Sequence, residues 1–364
     1  MAGKRNPKLI VDLSKLRHNI SKVQRLCRDN GVEVAGVIKG CSGLPECAKQ
    51  FEAAGCKYIA SSRLEQLEPL KDFGIQSPLM LIRIPELSEV EDVVRITEYS
   101  LNSEFEVLEA LNREARKQDK KHKVILMADL GDLREGFWDK DELIEVAIKV
   151  ENEMRNLELA GVGTNLGCYG AIRPTEDNLE GLVNIAESIE DAIGRELEII
   201  SGGATSSLTT LIDGKLPKRI NMLRIGEGIL LAKDLQDKPW SYDMSYLYKD
   251  AFTLRAEIIE VKDKPSHPVG EIMIDAFGST PTFEDLGVRK RALVALGKVD
   301  YAYLDLLETK DKSIRILGAS SDHTILDVED VDHELRVGDI VEFELCYATL
   351  VFVSHSQNVE KVFI

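Results

Sequence analysis

The chain has 364 residues, of which 44% are hydrophobic and 30% charged, an ordinary globular composition that excludes a disordered, collagen-like or disulfide-scaffold protein. Its length favours two domains, or one large barrel with an appendage. With 46 basic against 63 acidic side chains the net charge is −17, which argues against nucleic-acid binding; the one basic run, Lys117 to Lys123, reads as a solvated helix end.

Taken in chain order, the basic opening Met1 to Arg5 is followed by Pro7 and an apolar run too short for a signal-peptide core. Residues 8–12 read as a short strand ahead of a helix. From residue 30 to 230, β-rich apolar runs alternate with amphipathic stretches, the pattern of βα units around a parallel sheet. The runs are Val34–Lys39, Tyr58–Ser61, Leu79–Arg83, Tyr99–Asn102, Val124–Asp129, Leu157–Thr164, Leu197–Ser201 and Ile220–Arg224. Eight such units predict a closed (β/α)8 TIM-like barrel over residues 1–235. Asp139 or Asp141 marks a helix start, and Gly55 and Gly74 mark helix ends. After Lys233 the helical period disappears, and Phe252–Val261, Ile272–Ala276, Arg291–Leu296, Ser313–Leu317 and Ile340–Glu344 read as short strands. A mostly β C-terminal domain over residues 236–364 follows, joined by a polar, aromatic linker around Lys238–Tyr248. No apolar stretch approaches the roughly 18 residues that span a bilayer. Cys27, Cys41, Cys47, Cys56, Cys168 and Cys346 lack metal-ligand spacing and read as reduced, mostly buried thiols, which points to the cytoplasm.

In such a barrel the chemistry lies at the C-terminal ends of the strands. Lys39 ends an apolar strand, where desolvation lowers an ammonium pKa and frees the amine as a nucleophile able to form Schiff bases; a snorkelling rim lysine is the bland alternative. The fifth strand leads to Asp129 and Arg134, and the sixth to Thr164 and Asn165. The seventh ends in Ser201-Gly-Gly-Ala-Thr-Ser-Ser207 and the eighth in Arg224-Ile-Gly-Glu-Gly-Ile229. Glycine loops at these last two positions commonly bind a phosphate through close backbone N–H groups, and Ser206 and Ser207 add hydroxyl donors. A lysine opposite a phosphate site suits a phosphorylated aldehyde cofactor such as pyridoxal phosphate.

Five runs in order resemble the pyridoxal-phosphate racemases of the alanine racemase fold. They are Val-Ile-Lys39-Gly, Asp129-Leu-Gly-Asp-Leu-Arg134-Glu-Gly-Phe137, Gly163-Thr-Asn165, the Ser201 loop and Leu223-Arg-Ile-Gly226. Within that family, residues 163–170 and Gly-Ala-Ser-Ser-Asp-His (318–323) look most like the alanine/ornithine racemase branch. The resemblance implies that Lys39 carries the cofactor as a Schiff base and moves the substrate α-proton, and that Arg224 faces the pyridine nitrogen. There a permanent guanidinium disfavours ring protonation and restrains side chemistry. It places Arg134 near the phenolic oxygen or the substrate carboxylate and Asn165 against the ring. Gly203, Ala204, Thr205, Gly226 and Glu227 would contact the phosphate, Glu227 through its backbone.

Two departures stand out. The tyrosine that relatives carry four residues after the lysine is Gly43 here, and the catalytic tyrosine of the β domain is matched by Phe277-Gly278, which cannot move a proton. Racemisation needs a donor on each face of the carbanion or one serving both; Asp322 and His323, with Tyr347 third, are the candidates, and Asp322 or Asp275 could instead pair with a basic side chain. The expected activity is ornithine racemisation, with alanine or lysine as other substrates. A lyase of the D-threonine aldolase type and a small cofactor carrier are the alternatives; the lone His323, without nearby metal ligands, opposes the first, and the extra β domain the second. No metal is expected. By resemblance the protein is a homodimer sharing its active sites, with a small amino-acid substrate and neither nucleic-acid nor membrane partners.

Overall fold

The computed structural model describes residues 6–364, so the basic opening lies outside the described residues. The chain forms two compact units, Ser14–Tyr248 and Lys249–Ile364, the latter joined by the stretch up to Leu13. Lys8–Val11 (β1) belongs to that second unit because it pairs antiparallel with a strand beginning at Phe252 and parallel with the C-terminal strand.

In the first unit eight parallel strands close the expected barrel. They are Glu33–Val37 (β2), Tyr58–Ser61 (β3), Leu79–Leu81 (β4), Tyr99–Asn102 (β5), His122–Met127 (β6), Leu157–Gly163 (β7), Ile199–Ser201 (β8) and Met222–Ile225 (β9). Closure is made by β9 on β2, with Glu33 opposite Met222 and Gly36 opposite Ile225. Residues two apart along a strand share a face, so Ala35 with Val37, Tyr58 with Ala60, Tyr99 with Leu101 and Ile125 with Met127 fill one buried cluster. Each large apolar side chain buried this way contributes about 1.5–3 kcal/mol. Gly161 is needed where β7 meets β8, since a Cβ there would lie 1.9 Å from the Ile199 carbonyl. Around the barrel, Asp139 caps the helix Lys140–Glu153 by accepting from the Asp141 and Glu142 N–H groups.

The first unit runs to Tyr248, not 235, because the aromatic stretch packs on it. Arg173 stacks 5.4 Å from the Trp240 ring, the Tyr242 hydroxyl donates to Asp213, and Asn19 bonds both backbone groups of Tyr248. The Lys117–Lys123 run is only partly a solvated helix end, since Lys123 lies on β6 in ion pairs with Glu158 and Glu198.

The second unit contains Phe252–Pro265 (β10), Val288–Val294 (β11), Glu308–Thr309 (β12), Arg315–Ala319 (β13), Thr324–Asp327 (β14), Ile340–Glu344 (β15) and Glu360–Phe363 (β16). They form a mostly antiparallel sheet in the order β12-β15-β10-β11-β14-β13, with β1 also on β10 and β16 on the other side of β1. Ile272–Ala276 is no strand: it has no pairing partner, and Asp275 instead closes a turn by accepting from Phe277 and Ser279. A helix, Tyr347–His355, stands where helical periodicity was absent, because its sequence is apolar nearly all round and so shows no period. Among the described residues no helix is long and apolar enough to cross a membrane.

Candidate active site

At the C-terminal end of β2 the chain makes one 3₁₀ turn, Lys39–Cys41. Lys39 therefore sits just beyond the strand, half-buried, and its ammonium makes no ion pair or hydrogen bond among the described residues. Burial holds its pKa below the ordinary lysine value; Cys168 opposes this shift, while Arg134 and Arg224 add to it. These groups share one mouth of the barrel, because Arg224 in turn senses Glu135, Arg134 and Cys168.

Arg224 on β9 is 4% exposed. Its guanidinium donates to Ser201 Oγ at 2.5 Å and to the Thr164 carbonyl at 2.8 Å, and no carboxylate pairs with it among the described residues. Burial brings its pKa down to about 10, so it remains a cation at neutral pH.

Arg134 is delivered by a loop folded back on the end of β6. The Asp129 carboxylate accepts from the Gly131 and Leu133 N–H groups, and Phe137 exchanges backbone bonds with Met127 and Asp129. Gly136 has φ +128°, and a Cβ there would sit 2.5 Å from the Asp129 nitrogen, so no larger residue closes this loop. The Arg134 guanidinium is held by both oxygens of Glu135, with Nη2 to Oε1 at 2.5 Å and Nε to Oε2 beside it. That carboxylate raises the guanidinium pKa further.

Buried Asp132 ties this loop to the next by accepting from the Cys168 and Tyr169 N–H groups at 3.2 and 3.0 Å. Asn165, at the start of that loop, is buried, and its Nδ2 has no hydrogen-bond partner. An unmet buried donor costs about 1–3 kcal/mol, so this amide is set to meet an acceptor.

The two glycine turns are fastened side by side: the Arg224 N–H donates to the Gly203 carbonyl at 2.9 Å and the Gly228 N–H to Thr205 Oγ1 at 3.2 Å. The N–H groups of Gly203, Ala204, Thr205, Gly226 and Glu227 find no acceptor among the described residues. The serine hydroxyls expected to join them do not, for Ser206 donates to the Leu166 carbonyl and Ser207 to that of Gly202, which uses the single proton of each. Glu227 has one buried oxygen without a partner, and burial, then Asp234, pushes its carboxyl up to about 7.

The remaining candidates lie in the second unit. Asp322 and His323 are exposed in the turn between β13 and β14, with Ser321 Oγ donating to Asp322 and the His323 N–H donating to Ser320 Oγ. Phe277 is exposed, with the Lys298 ammonium 4.2 Å from its ring centre, and Tyr347 opens the helix Tyr347–His355. Sequence reasoning missed Glu135, Cys168 and Asp132 as parts of the mouth. The signal available for Glu135 was its place between Arg134 and a glycine; nothing local marks the other two, whose roles come from contact between loops.

A family model described as the N-terminal domain of alanine racemase matches residues 11–234. The chain is 42% identical to the ornithine racemase of Acetoanaerobium sticklandii over 98% of its own length and 99% of that protein. It is 38% identical to the lysine racemase of Thermotoga maritima over 98% of each. In structure it is similar to the alanine racemase of D-cycloserine-producing Streptomyces lavendulae, with a TM-score of 0.79 at 16% identity, covering 100% of this chain and 98% of that one.

Proposed function

This chain belongs to the alanine racemase family, and we propose that it interconverts the L and D forms of ornithine with pyridoxal phosphate, as a cytoplasmic homodimer. It is an amino-acid racemase, an isomerase. Ornithine is favoured over lysine and alanine by the 42% identity along nearly the whole of both chains. The observation that carries the cofactor reading is a half-buried lysine amine sharing its mouth with a buried arginine, neither of them paired with a carboxylate among the described residues.

The residues fit the cofactor. Arg224 stays charged where a pyridine nitrogen must stay unprotonated, Asn165 has a donor to give, and five backbone N–H groups in two locked turns await a phosphate. Lys39 would hold the group through its amine, Arg224 would face the ring nitrogen, and Asn165 the ring. Arg134 would meet the phenolic oxygen or the substrate carboxylate. Gly203, Ala204, Thr205, Gly226 and Glu227 would meet the phosphate by their N–H groups. Since burial raises the Glu227 carboxyl to about 7, it is ionised only about half of the time near pH 7, which weakens its repulsion of that anion. When bound, the cofactor delocalises the electron pair left on the α-carbon.

The chain's own part is proton movement. A lysine amine with a lowered pKa is neutral more of the time, so Lys39 can take the α-proton from one face and return it. For the opposite face the candidates remain Asp322 and His323, offered by the second unit to a partner's barrel. The cofactor test is visible absorbance followed by borohydride reduction and peptide mapping. A yellow protein whose reduced adduct maps to Lys39 is expected; a colourless protein unchanged by added pyridoxal phosphate would refute it. Exchange of Asp322 and of His323, with solvent deuterium followed into both enantiomers, should slow one direction selectively for the true second base, and equal rates in both variants would remove the pair.

A further inference from the structure

We propose that Glu135 selects diamino acids by trading partners: it holds Arg134 in the free enzyme, and takes the substrate's side-chain ammonium when Arg134 turns to the substrate α-carboxylate. The inference rests on the racemase reading and on Arg134 as the carboxylate anchor.

The ion pair is unusual in position. Arg134 and Glu135 are adjacent in sequence, at the tip of the loop that Gly136 folds back over the end of β6, and the guanidinium is engaged at two nitrogens. The Glu135 side chain is only 16% exposed. Lys39 and Arg224 both sense its charge, yet neither makes a hydrogen bond to it. Among the described residues Arg134 is thus the sole hydrogen-bonding cation of a largely buried carboxylate at this mouth of the barrel.

Glu135 occupies the Nε/Nη2 edge of Arg134, and an incoming α-carboxylate that takes this edge displaces it, since one edge of a guanidinium binds one carboxylate bidentately. If Arg134 moves to the substrate, Glu135 is left largely buried without its counter-ion, a costly arrangement. A monoamino acid such as alanine brings nothing to relieve this. Ornithine or lysine brings a second ammonium on a flexible stem, which restores the lost pair and returns the balance of charge. Discrimination therefore has two parts, attraction of the ammonium and a penalty against substrates that lack one.

The experiment compares kcat/KM for ornithine, lysine and alanine in the wild-type holoenzyme, Glu135→Gln and Glu135→Asp, with circular dichroism to check folding. In Glu135→Gln the ornithine-to-alanine ratio should fall at least tenfold, through a higher KM for ornithine and a gain on alanine. Glu135→Asp keeps the charge but withdraws it by one methylene, so the lysine-to-ornithine ratio should rise severalfold. Should Glu135→Gln fail to fold, the aspartate variant decides. A wild-type enzyme that racemises ornithine while both variants keep its ratios overturns the exchange alone; a wild-type protein that racemises none of the three overturns the racemase reading, and the exchange with it.

Discussion

The two ends of the barrel hold the same kinds of charged side chain and treat them in opposite ways. Lys123, at the start of β6, and Lys39, just beyond the end of β2, are both partly buried. Burial depresses both amines, but Lys123 ends above the ordinary value because it binds Glu198 at 2.7 Å and meets Tyr99, whereas Lys39, unpaired among the described residues, stays below it. The carboxylates repeat the contrast. Burial pushes Glu198 up, but Lys123, Tyr99 and Lys57 bring it below the usual range, while Glu227 rises to about 7. Burial is common to both ends, so what differs is the partner. The N-terminal end satisfies these charges within the chain, whereas at the C-terminal end Lys39, Arg224 and Glu227 have no ion-pair partner among the described residues, Arg134 and Glu135 being the paired exception, which is where this barrel is expected to receive a ligand.

The largest test of that division is Lys39→Ala. If Lys39 is the acid/base and cofactor anchor proposed above, racemisation followed by chiral chromatography should drop by at least about 10³-fold. The melting temperature of the cofactor-free protein should stay level or rise, because a half-buried amine without a partner has been removed. Retained activity would move the catalytic amine elsewhere; a large loss of stability would make Lys39 structural.

The barrel was readable because its strands are buried on both faces, which forces near-continuous apolar runs; Tyr58–Ser61 and Tyr99–Asn102 match to the residue. Strand ends drifted where the backbone turns early, as at Lys39, which precedes a left-handed Ser42 and Gly43. The second unit was less legible. Short strands such as Thr324–Asp327 are defined by their neighbours, Ile272–Ala276 found none, and the helix Tyr347–His355 has no polar face to betray its period. For the candidate site, the placing of Lys39 and Arg224 at one mouth of the barrel could be read from their positions at the ends of apolar strands. Cys168 and Asp132 could not, because the bond that brings them together crosses 36 residues.

The two carboxylates should also part company with pH. Glu227 has its folded pKa raised, to about 7, above an unfolded value near 4.3. Its contribution is therefore present in acid and is lost as pH rises through about 7. Glutamine imitates the neutral carboxyl, so Glu227→Gln should be more stable than wild type by about 3–4 kcal/mol at pH 8, the gain shrinking toward zero by pH 4. Thermal unfolding of the two proteins at equal concentration across that range checks it, and a pH-independent difference would mean that packing, not titration, sets the effect.

Glu198→Gln asks the same question at the satisfied end and should give the opposite sign. The amide can still accept from the Tyr58 and Tyr99 hydroxyls, at 3.4 and 3.1 Å in the wild type, so the exchange removes mainly the charge facing Lys123. The side chain is 34% exposed and its pair is partly screened, so the loss should be only about 1 kcal/mol near pH 7. Because the folded pKa is lowered, that contribution exists above about pH 4.3 and disappears as pH falls through the folded value. The gap between wild type and Glu198→Gln should thus close in acid, where the gap for Glu227→Gln also closes but from the other side. kcat should not change, since this network stands at the N-terminal ends of the strands, a barrel's length from Lys39. A fall in kcat without a fall in stability would show the lower network tuning the upper one, and the two ends would have to be treated as one electrostatic system.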